Sequence, residues 1–481
     1  MPMPMPMPPL SSTLPTRRSD LAGRRVLVLG LARSGVAAAR FLADAGAEVT
    51  AYDRQPAEAL AQAVAALGGR PVNLALGASP EAVIGLLGDA DLVVTSPSIS
   101  SRFPTTEPWL REALAEAELG GAAVVSEVDL FLRLTRARVL AVTGTKGKTT
   151  TASLVAAILA AADLPHVLGG NIGTPLIEEA DSLESGTWAV LELSELQLPT
   201  LSRGADIAVY TNILADHLDR HASVEAYRAV KGRLAELSAP GGELVLNRED
   251  PGCVELGARL PGARVHWYGL EPRPGADAWV EDGWVVVGGQ RVLQTVDVPL
   301  RGEHMRRNVL AAAVGARLAG ADTTAVANGV RTFGGVPHRL EDLGVRAGVA
   351  YVNDSQATIP LAAIAGIMAF DEGRVVVIAG GQGKGLDYAA FAEAIVERCR
   401  AAVLIGDTAA ELERLIGGRV PVRRASSMAD AVAAASAEAR PGDAVLLAPA
   451  AASFDMFADY AARGDAFRAA VVGLPDPGGD R

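Results

Sequence analysis

The stretch ARVLAVTGTKGKTTTASLVAAILAAA, residues 137–162, decides the fold of this 481-residue chain. Its first eight residues form an apolar run that ends in glycine, which is typical of a strand buried on both faces of a parallel sheet. A loop rich in glycine and lysine, Gly144–Thr150, follows, and then a segment of helical period. This order predicts a phosphate-binding loop in which Lys148 reaches the terminal phosphates and the Thr149 hydroxyl ligates Mg²⁺.

The loop has the short form GxxGKT. The longer pattern GxxxxGK[ST] is not met, because Val142 stands where that pattern has its first glycine. A GKT triplet can also begin a helix by chance, with no ligand. The preceding strand and the following helix favour nucleotide binding over that alternative.

Outward from this stretch, apolar runs alternate with alanine-rich helical segments along the chain. The sequence therefore predicts an α/β protein with parallel sheets. The runs group into three blocks, and we expect domains at 21–136, 137–336 and 337–481. The predicted strands lie in 24–30, 137–144, 188–194, 205–212, 374–381, 401–407 and 443–450. A patch rich in glycine, tryptophan and valine at 265–300 predicts antiparallel strands inserted in the second domain.

Composition limits the classes of function. The formal charge is −12 without a basic block, which makes a nucleic-acid partner improbable, and no apolar run is long enough to span a bilayer. Two distant cysteines, Cys253 and Cys399, suggest a reducing compartment. Residues 1–20 begin with a Met-Pro repeat that cannot form a helix, and we expect this segment to be a disordered tail outside the fold.

The first block contains Gly30-Leu31-Ala32-Arg33-Ser34-Gly35 after a strand, and Asp53 at the end of the next strand. This layout is that of a dinucleotide-binding turn, but Ala32 replaces the middle glycine and would crowd a pyrophosphate. The pattern therefore favours another nucleotide-like ligand over NAD. A plain turn between strand and helix remains a third interpretation.

Polar clusters mark further candidate sites. His217 and His221 lie in an Asp- and Asn-rich segment after a predicted strand, and Glu192 ends another. Oxygen and imidazole groups without cysteine suit Mg²⁺ better than Zn²⁺, although Glu192 could equally be a helix cap. In the third block, polar turns follow three predicted strands and should form one rim around a ligand crevice. They are 353–358, 380–385 and 453–465.

Taken together, these motifs resemble the Mur ligase family, and they occur in that family's order over residues 30–470. The matching segments are Gly144–Thr149, Gly170–Gly173, Glu192–Gln197, Thr211–Asn212 with Asp216–Arg220, Tyr227–Lys231, Gly302–His304 with Asn308, Pro337–Glu341, Asn353–Ser355, Gly380–Gly381 with Lys384–Gly385, and Ala452–Asp455 with Arg463–Gly464. The turn NDSQAT at 353–358 and the ending LLAPAAASFDMFADYAARGDAF look like the branch of the family that adds D-glutamate.

The resemblance implies three domains: a Rossmann-like N-terminal domain, a P-loop-type central ATPase domain and a Rossmann-like C-terminal domain. It implies a monomeric cytoplasmic ligase of peptidoglycan precursor synthesis, with ATP and two Mg²⁺ ions as cofactors. ATP would phosphorylate the carboxylate of UDP-N-acetylmuramoyl-L-alanine, and the amine of D-glutamate would attack the acyl phosphate. These small molecules are the expected partners, with neither nucleic acid nor membrane involved.

The resemblance also implies roles for particular residues. The catalytic set is Lys148, Glu192, His217 and Lys231, with Lys231 carbamylated and the metal ligands being Thr149, Glu192, His217 and Lys231. ATP would contact Gly144, Thr145, Lys146, Gly147, Lys148, Thr149, Thr150, Asn308, Arg339 and Asp354. The uridine-diphosphate end would contact Leu31, Asp53, Arg54 and Ser96, the muramoyl group Asn171, and D-glutamate Thr358, Lys384, Ser453, Phe454 and Tyr460.

Several positions depart from the family pattern. Lys146 replaces a usual asparagine, Glu195-Leu196 a Ser-Phe pair, Met305 another asparagine, and Gln356 a lysine common in the third-domain turn. Two alternatives therefore stay open: another amide ligase of the same fold, and a non-catalytic nucleotide-binding regulator or dehydrogenase. Retention of Lys148, His217, Lys231 and Lys384 argues against a protein without catalytic activity.

Overall fold

The computed structural model describes residues 14–103, 106–214, 221, 223–299, 302–383 and 385–474. Within these ranges the chain forms three separate sheets with helices around them, which confirms the α/β prediction. The chain divides into two compact units, residues 1–333 with the first two sheets and residues 334–481 with the third. Across the described ranges, no helix is long and apolar enough to cross a membrane.

The first sheet consists of five parallel strands. The strands are β1 (Arg25–Leu29), β2 (Glu48–Asp53), β3 (Val72–Leu76), β4 (Leu92–Thr95) and β5 (Ala123–Ser126), and the helices are α1 (Arg33–Asp44), α2 (Ala61–Ala66), α3 (Pro80–Asp89), α4 (Pro108–Leu119) and α5 (Glu127–Leu134). The strand order is β3-β2-β1-β4-β5. From β1 the chain adds β2 and β3 on one side of the sheet and then β4 and β5 on the other, so the switch point lies between the parallel strands β1 and β4. In an open sheet, ligands bind at such a switch point.

Burial explains why β1 is apolar at every position after the first. Val26 and Val28 belong to one hydrophobic cluster, and Leu27 and Leu29 belong to another on the opposite face. Successive side chains of a strand point to opposite faces, so a strand covered on both sides needs a continuous apolar run.

The second sheet follows the phosphate-loop stretch. The strands are β6 (Arg138–Thr143), β7 (His166–Gly170), β8 (Trp188–Glu192), β9 (Ile207–Tyr210), β10 (Glu243–Asn247), β11 (Arg264–Tyr268), β12 (Ala276–Glu281), β13 (Trp284–Val287) and β14 (Gln290–Gln294). The helices are α6 (Lys148–Ala161), α7 (Val224–Ser238), α8 (Pro251–Ala258), α9 (Glu303–Leu318) and α10 (Thr323–Thr332). Strand β6 lies between β8 and β9, so the loop after β6 has the carboxyl ends of both neighbours beside it.

The prediction of antiparallel strands over 265–300 is correct for β12, β13 and β14 and wrong for the first strand. β11 pairs in parallel with both β10 and β12. The helix α8 connects β10 to β11 and allows a parallel crossover, whereas the two later connections are tight turns at glycines.

The third sheet, in the second unit, has the order β15-β16-β20-β17-β18-β19, in which only β15 is antiparallel to its neighbour. Its strands are β15 (Glu341–Arg346), β16 (Val349–Asn353), β17 (Val375–Gly380), β18 (Cys399–Ile405), β19 (Val422–Arg424) and β20 (Ala444–Leu447). The helices are α11 (Pro360–Ile367), α12 (Ala389–Arg398), α13 (Ala409–Ile416), α14 (Met428–Glu438) and α15 (Tyr460–Val472).

Residues 1–20 were expected to be a disordered tail, but residues 14–20 contact the folded protein. Leu14 packs against the first hydrophobic cluster, and a short 3-10 helix spans Arg18–Leu21. The Arg18 guanidinium donates to Asp181 at 2.8 Å and to the carbonyl of Asp44 at 2.9 Å. These contacts hold the segment on the domain, whereas the Met-Pro repeat ends well before it. Residues 1–13 lie outside the described residues.

Glu127 connects the first sheet to the segment before β8. It is 5% exposed, and its Oε1 accepts from the backbone N–H of Ile177 at 3.2 Å. Burial raises the pKa of Glu127 to about 7. Between about pH 4.5 and 7 the folded state keeps a proton that the unfolded state has lost, so this group makes the folded protein less stable as the pH rises.

We expect Glu127→Gln to remove that dependence. From pH 5 to pH 8, its free energy of unfolding relative to the wild type should rise by roughly 3 kcal/mol, because each pKa unit corresponds to 1.36 kcal/mol. Denaturant unfolding at the two pH values measures this difference. Glu58→Gln, at an exposed position, is the control and should show no such rise. Parallel profiles for Glu127→Gln and the wild type would contradict the raised pKa.

Candidate functional site

Two glycines give the loop after β6 its shape. A Cβ at Gly144, where φ is +146°, would lie 1.9 Å from Oγ1 of Thr211, and one at Gly147, where φ is +85°, would lie 2.5 Å from Oδ1 of Asn308. Only glycine allows both the backbone conformation and this close approach. The loop is thus packed between the segment after β9 and helix α9, which places Asn308 beside it.

Side chains of the segment after β9 form hydrogen bonds to the backbone of the phosphate loop. Asn212 accepts from the N–H of Lys146 at 2.9 Å and donates to the carbonyl of the same residue at 3.1 Å. Thr211 Oγ1 donates to that carbonyl at 2.6 Å. The Nζ of Lys148 reaches back over the loop to the carbonyl of Thr145 at 3.0 Å. The lysine ammonium therefore lies over the loop, where a phosphate cradle requires it.

Glu192 ends β8 next to the phosphate loop and is 1% exposed. Its Oε1 accepts from Nδ2 of Asn171 at 2.9 Å, and its backbone carbonyl accepts from the N–H of Asn171 at 2.8 Å. Its Oε2 is buried and has no hydrogen-bond partner among the residues that the structure describes. A buried carboxylate oxygen left unpaired is costly, and a bound cation would satisfy it.

Lys231, on α7, is fully buried. Its Nζ donates to the carbonyl of Gly144 at 2.9 Å and lies 3.4 Å from Oγ1 of Thr143. The ring of Tyr227 lies 5.7 Å from the ammonium, and the Tyr227 hydroxyl lies 2.9 Å from Oγ1 of Thr145. The lysine predicted to be carbamylated thus touches the phosphate loop from inside the domain.

The predicted metal ligands are only partly described. His217 lies outside the described residues, whereas Thr149 is buried at the start of α6. Among the residues with described positions, no three His, Cys, Asp or Glu side chains come together as a metal group. The ligand set that includes His217 therefore stays a prediction.

The first sheet has a cavity of about 310 Å³ at the carboxyl ends of β1, β2 and β4. Asp53, Arg54 and Ser96 line it, as three of the residues expected at the uridine end. Leu31 is buried beside it and donates its N–H to Oδ2 of Asp53 at 2.9 Å, while Gln55 donates its N–H to Oδ1 at 3.0 Å. Both Asp53 oxygens accept from the backbone, which fixes the orientation of this carboxylate at the end of β2.

In the second unit, polar residues gather at the end of β16. Asn353 is buried, and its Nδ2 donates to Oε2 of Glu341 at 2.9 Å and to the carbonyl of Gly464 at 3.2 Å. The neighbouring Asp354 accepts from the N–H of Leu340 at 3.1 Å. Burial raises the pKa of Asp354 to about 6. Arg339, whose charge opposes this rise, is exposed on the same turn.

The expectation that the third-block turns meet is confirmed for the described residues. The Ser355 hydroxyl donates to the carbonyl of Tyr460 at 2.7 Å, and the N–H of Gln382 donates to the carbonyl of Ala452, next to Ser453, at 3.0 Å. Of the residues predicted to bind D-glutamate, Ser453 is buried, Thr358 and Tyr460 are half-buried, and Phe454 is 63% exposed. Lys384 lies outside the described residues.

The sequence assigned no role to Arg463, which is fully buried on α15. It donates to Oγ of Ser355 at 3.0 Å, to the Ser355 carbonyl at 2.9 Å, and to the carbonyls of Ala451 and Ala452 at 3.1 and 3.0 Å. Burial lowers its pKa to about 10. A single side chain thus connects the turn 353–358 and the segment before Ser453 to α15, and only its position in the Arg-Gly pair pointed to it.

Comparison with known proteins gives matches over most of the chain. The model of the Mur ligase middle domain matches residues 142–316, and that of the Mur ligase glutamate ligase domain matches residues 338–451. A UDP-N-acetylmuramoylalanine--D-glutamate ligase from Solibacter usitatus is 42% identical over 455 residues, which are 94% of this chain and 99% of the relative. The chain belongs to the Mur ligase family.

A second relative with that name, from Myxococcus xanthus, is 39% identical over 94% of this chain and 99% of its own length. Among solved structures, a UDP-N-acetylmuramate-alanine ligase from Thermotoga maritima superposes with a TM-score of 0.54 at 18% identity, covering 92% of this chain and 98% of that one. The latter likeness supports the three-domain Mur ligase fold. Mur ligases are ATP-dependent enzymes of peptidoglycan precursor synthesis.

Proposed function

We propose that this chain adds D-glutamate to UDP-N-acetylmuramoyl-L-alanine at the expense of ATP, as the names of its full-length relatives state for them. The observation that carries the proposal is the placement of Lys148, Glu192 and Lys231 around one phosphate loop. A binding module would have no chemical need for a buried carboxylate and a buried lysine beside its phosphate cradle.

The reaction follows from the weakness of a carboxylate as an electrophile. A carboxylate oxygen of the L-alanyl group attacks the γ-phosphorus of ATP, and ADP leaves. The amine of D-glutamate then attacks the acyl carbon, inorganic phosphate departs with one carboxylate oxygen, and the amine loses a proton. Lys148 supplies positive charge where negative charge gathers, with Gly144–Thr150 holding the phosphates of ATP. Asn308, Arg339 and Asp354 are proposed as further contacts to ATP.

Mg²⁺ would be held by Thr149, Glu192 and His217. The buried Oε2 of Glu192, which has no partner within the described ranges, fits such an ion, because a hard cation prefers carboxylate oxygen. When bound, Mg²⁺ would neutralise phosphate charge and polarise the phosphoryl oxygens. Asn171 fixes the other oxygen of Glu192, so the carboxylate can present Oε2 in one orientation. Two ions are proposed, as in the family pattern.

Lys231 is proposed to be carbamylated. Its deprotonated amine would attack CO₂, form the N–C bond and release a proton to solvent, which changes a cation into an anion. A buried anion beside the loop would complete the ligand set for the second ion. The position of Nζ at 2.9 Å from the Gly144 carbonyl supports this placement.

We propose residues 21–136 as the domain for the uridine-diphosphate end, through Leu31, Asp53, Arg54 and Ser96. Residues 137–336 would bind ATP, and the Asn171 amide would meet the muramoyl group. Residues 337–481 would bind D-glutamate through Thr358, Lys384, Ser453, Phe454 and Tyr460. We further propose that the protein works in the cytoplasm, since its substrates are soluble metabolites. We propose that it does so as a monomer.

ATP-dependent phosphate release tests the substrate assignment. We expect release only when UDP-N-acetylmuramoyl-L-alanine and D-glutamate are both present, among all pairings of UDP-muramoyl precursors with D-glutamate, L-glutamate, L-alanine, L-lysine and diaminopimelate. A preference for L-glutamate or for a diamino acid would refute the D-glutamate assignment and leave an amide ligase of the same fold. Absence of release with every pairing would refute the ligase itself.

A further inference from the structure

The segment that carries Asn171 is anchored to the helices of the first sheet. It follows β7, which lies at the edge of the second sheet. Nη1 of Arg33, on α1, donates to the carbonyl of Gly173 at 3.2 Å, and the N–H of Ile177 donates to Oε1 of Glu127, on α5, at 3.2 Å. The segment thus takes part of its position from elements outside its own sheet.

Two ion pairs continue this anchoring further along the chain. Arg40, seven residues after Arg33 on α1, lies 3.0 Å from Glu178, and Arg18 lies 2.8 Å from Asp181. The side chains of both pairs are 35–40% exposed, and an ion pair at this exposure stabilises a structure only slightly. These pairs therefore add less to the position of the segment than the contacts before them.

The contact of Arg33 is the closest of these to Asn171, because Gly173 follows Asn171 by two residues. Arg33 is the first residue of α1, where the positive end of the helix dipole opposes a cation. Its charge therefore does not stabilise its own helix. The side chain donates instead to the backbone of the neighbouring segment, which favours a role in holding that segment.

Asn171 passes its position on to Glu192 through two hydrogen bonds. Its N–H donates to the Glu192 carbonyl at 2.8 Å, and its Nδ2 donates to Oε1 at 2.9 Å. The two oxygens of a carboxylate belong to one planar group, so a fixed Oε1 also fixes the direction of Oε2. A shift of the Asn171 amide would let the carboxylate rotate. Groups that hydrogen-bond to a metal ligand orient it in this way.

We propose that Arg33 is a positioning residue for the metal site: by holding the Gly173 carbonyl it fixes Asn171, and through Asn171 the direction of the buried Glu192 oxygen. This inference rests on the proposed function, in which Glu192 binds Mg²⁺. The competing role for Arg33 is a direct contact to the phosphates of the UDP-linked substrate. That role would change the affinity for this substrate and leave the affinity for the metal unchanged.

Binding of Mn²⁺ to the full chain with ADP, in the absence of any UDP ligand, tests the proposal without a catalytic step. Carboxylate oxygen suits Mn²⁺ as it suits Mg²⁺, and electron paramagnetic resonance measures the free ion. We expect Asn171→Ala to weaken Mn²⁺ binding about tenfold and Arg33→Ala about fivefold. Arg33→Lys, which retains a donor at this position, should bind Mn²⁺ within about twofold of the wild type.

Arg40→Ala is the matched control, because Arg40 lies on the same helix and contacts the same segment through the Glu178 side chain. We expect it to change Mn²⁺ affinity by less than about twofold. Arg33→Ala combined with Asn171→Ala should bind Mn²⁺ no more weakly than Asn171→Ala alone, since two changes on one path are not additive.

Unchanged Mn²⁺ affinity in Arg33→Ala, or equal losses in Arg33→Ala and Arg40→Ala, would overturn the positioning role. A raised KM for the UDP-linked substrate together with unchanged Mn²⁺ affinity would overturn it in favour of the phosphate contact. Ligation by the wild type would still uphold the proposed function in these cases. Absence of Mn²⁺ binding by the wild type itself would contradict the metal site on which both rest.

Discussion

Replacing Lys148 with alanine is expected to lower the rate of ligation by about 1,000-fold or more without unfolding the protein. The Nζ of Lys148 bonds to the carbonyl of Thr145 across the phosphate loop, and glycine and asparagine contacts fix the loop itself. Loss of the ammonium therefore removes charge from the phosphates and leaves the scaffold in place. Phosphate release and thermal unfolding of the variant measure the two effects.

Lys146→Ala is the matched control for this change. Lys146 lies in the same loop and is exposed, and its bonds to Asn212 come from its backbone, which alanine retains. We expect a loss of less than about tenfold. If Lys148→Ala turned over at a near-normal rate, or if both variants lost activity equally, the assignment of Lys148 to the phosphates would be wrong.

Lys231→Ala should also be inactive, and short carboxylic acids such as acetate should restore part of its activity. Truncation of this fully buried side chain leaves a space beside the Gly144 carbonyl, and an acid that enters it would supply the missing anion. We expect at least about a tenfold increase in rate at saturating acetate over the variant without acid. Phosphate release over a series of acid concentrations measures this rescue.

The same acids added to Lys148→Ala are the control, because that variant lacks a cation and acetate cannot replace it. No rescue of Lys231→Ala by any acid, or rescue of both variants alike, would count against the carbamate. Mass spectrometry of the native wild type in bicarbonate buffer, with an expected gain of one CO₂ at Lys231, gives a second measurement.

Much of the fold could be predicted from the sequence, because buried parallel strands leave a plain pattern. Val26–Leu29 is apolar at each position since both faces of β1 are covered, and the same rule located β6, β8 and β17. The parallel pairing of β11 could not be predicted, because Arg264–Tyr268 mixes polar and aromatic residues as an antiparallel edge strand does. Direction depends on the α8 connection rather than on composition.

The candidate site could be predicted where its residues are consecutive in the sequence. Strand, glycines and helix occur consecutively around Lys148, so one motif located the phosphate loop. Arg463 has no such local signal, because the Ser355 that it contacts is 108 residues away in sequence. Contacts over such distances depend on strand order, which the sequence does not specify at those positions.

The central claim is ATP-driven ligation through an acyl phosphate, and transfer of oxygen tests it most directly. UDP-N-acetylmuramoyl-L-alanine with both carboxylate oxygens as ¹⁸O is incubated with the enzyme, ATP and D-glutamate, and the released phosphate is analysed by mass spectrometry. The account predicts one ¹⁸O atom in each phosphate and one in the new amide. Unlabelled phosphate formed together with the amide product would contradict it.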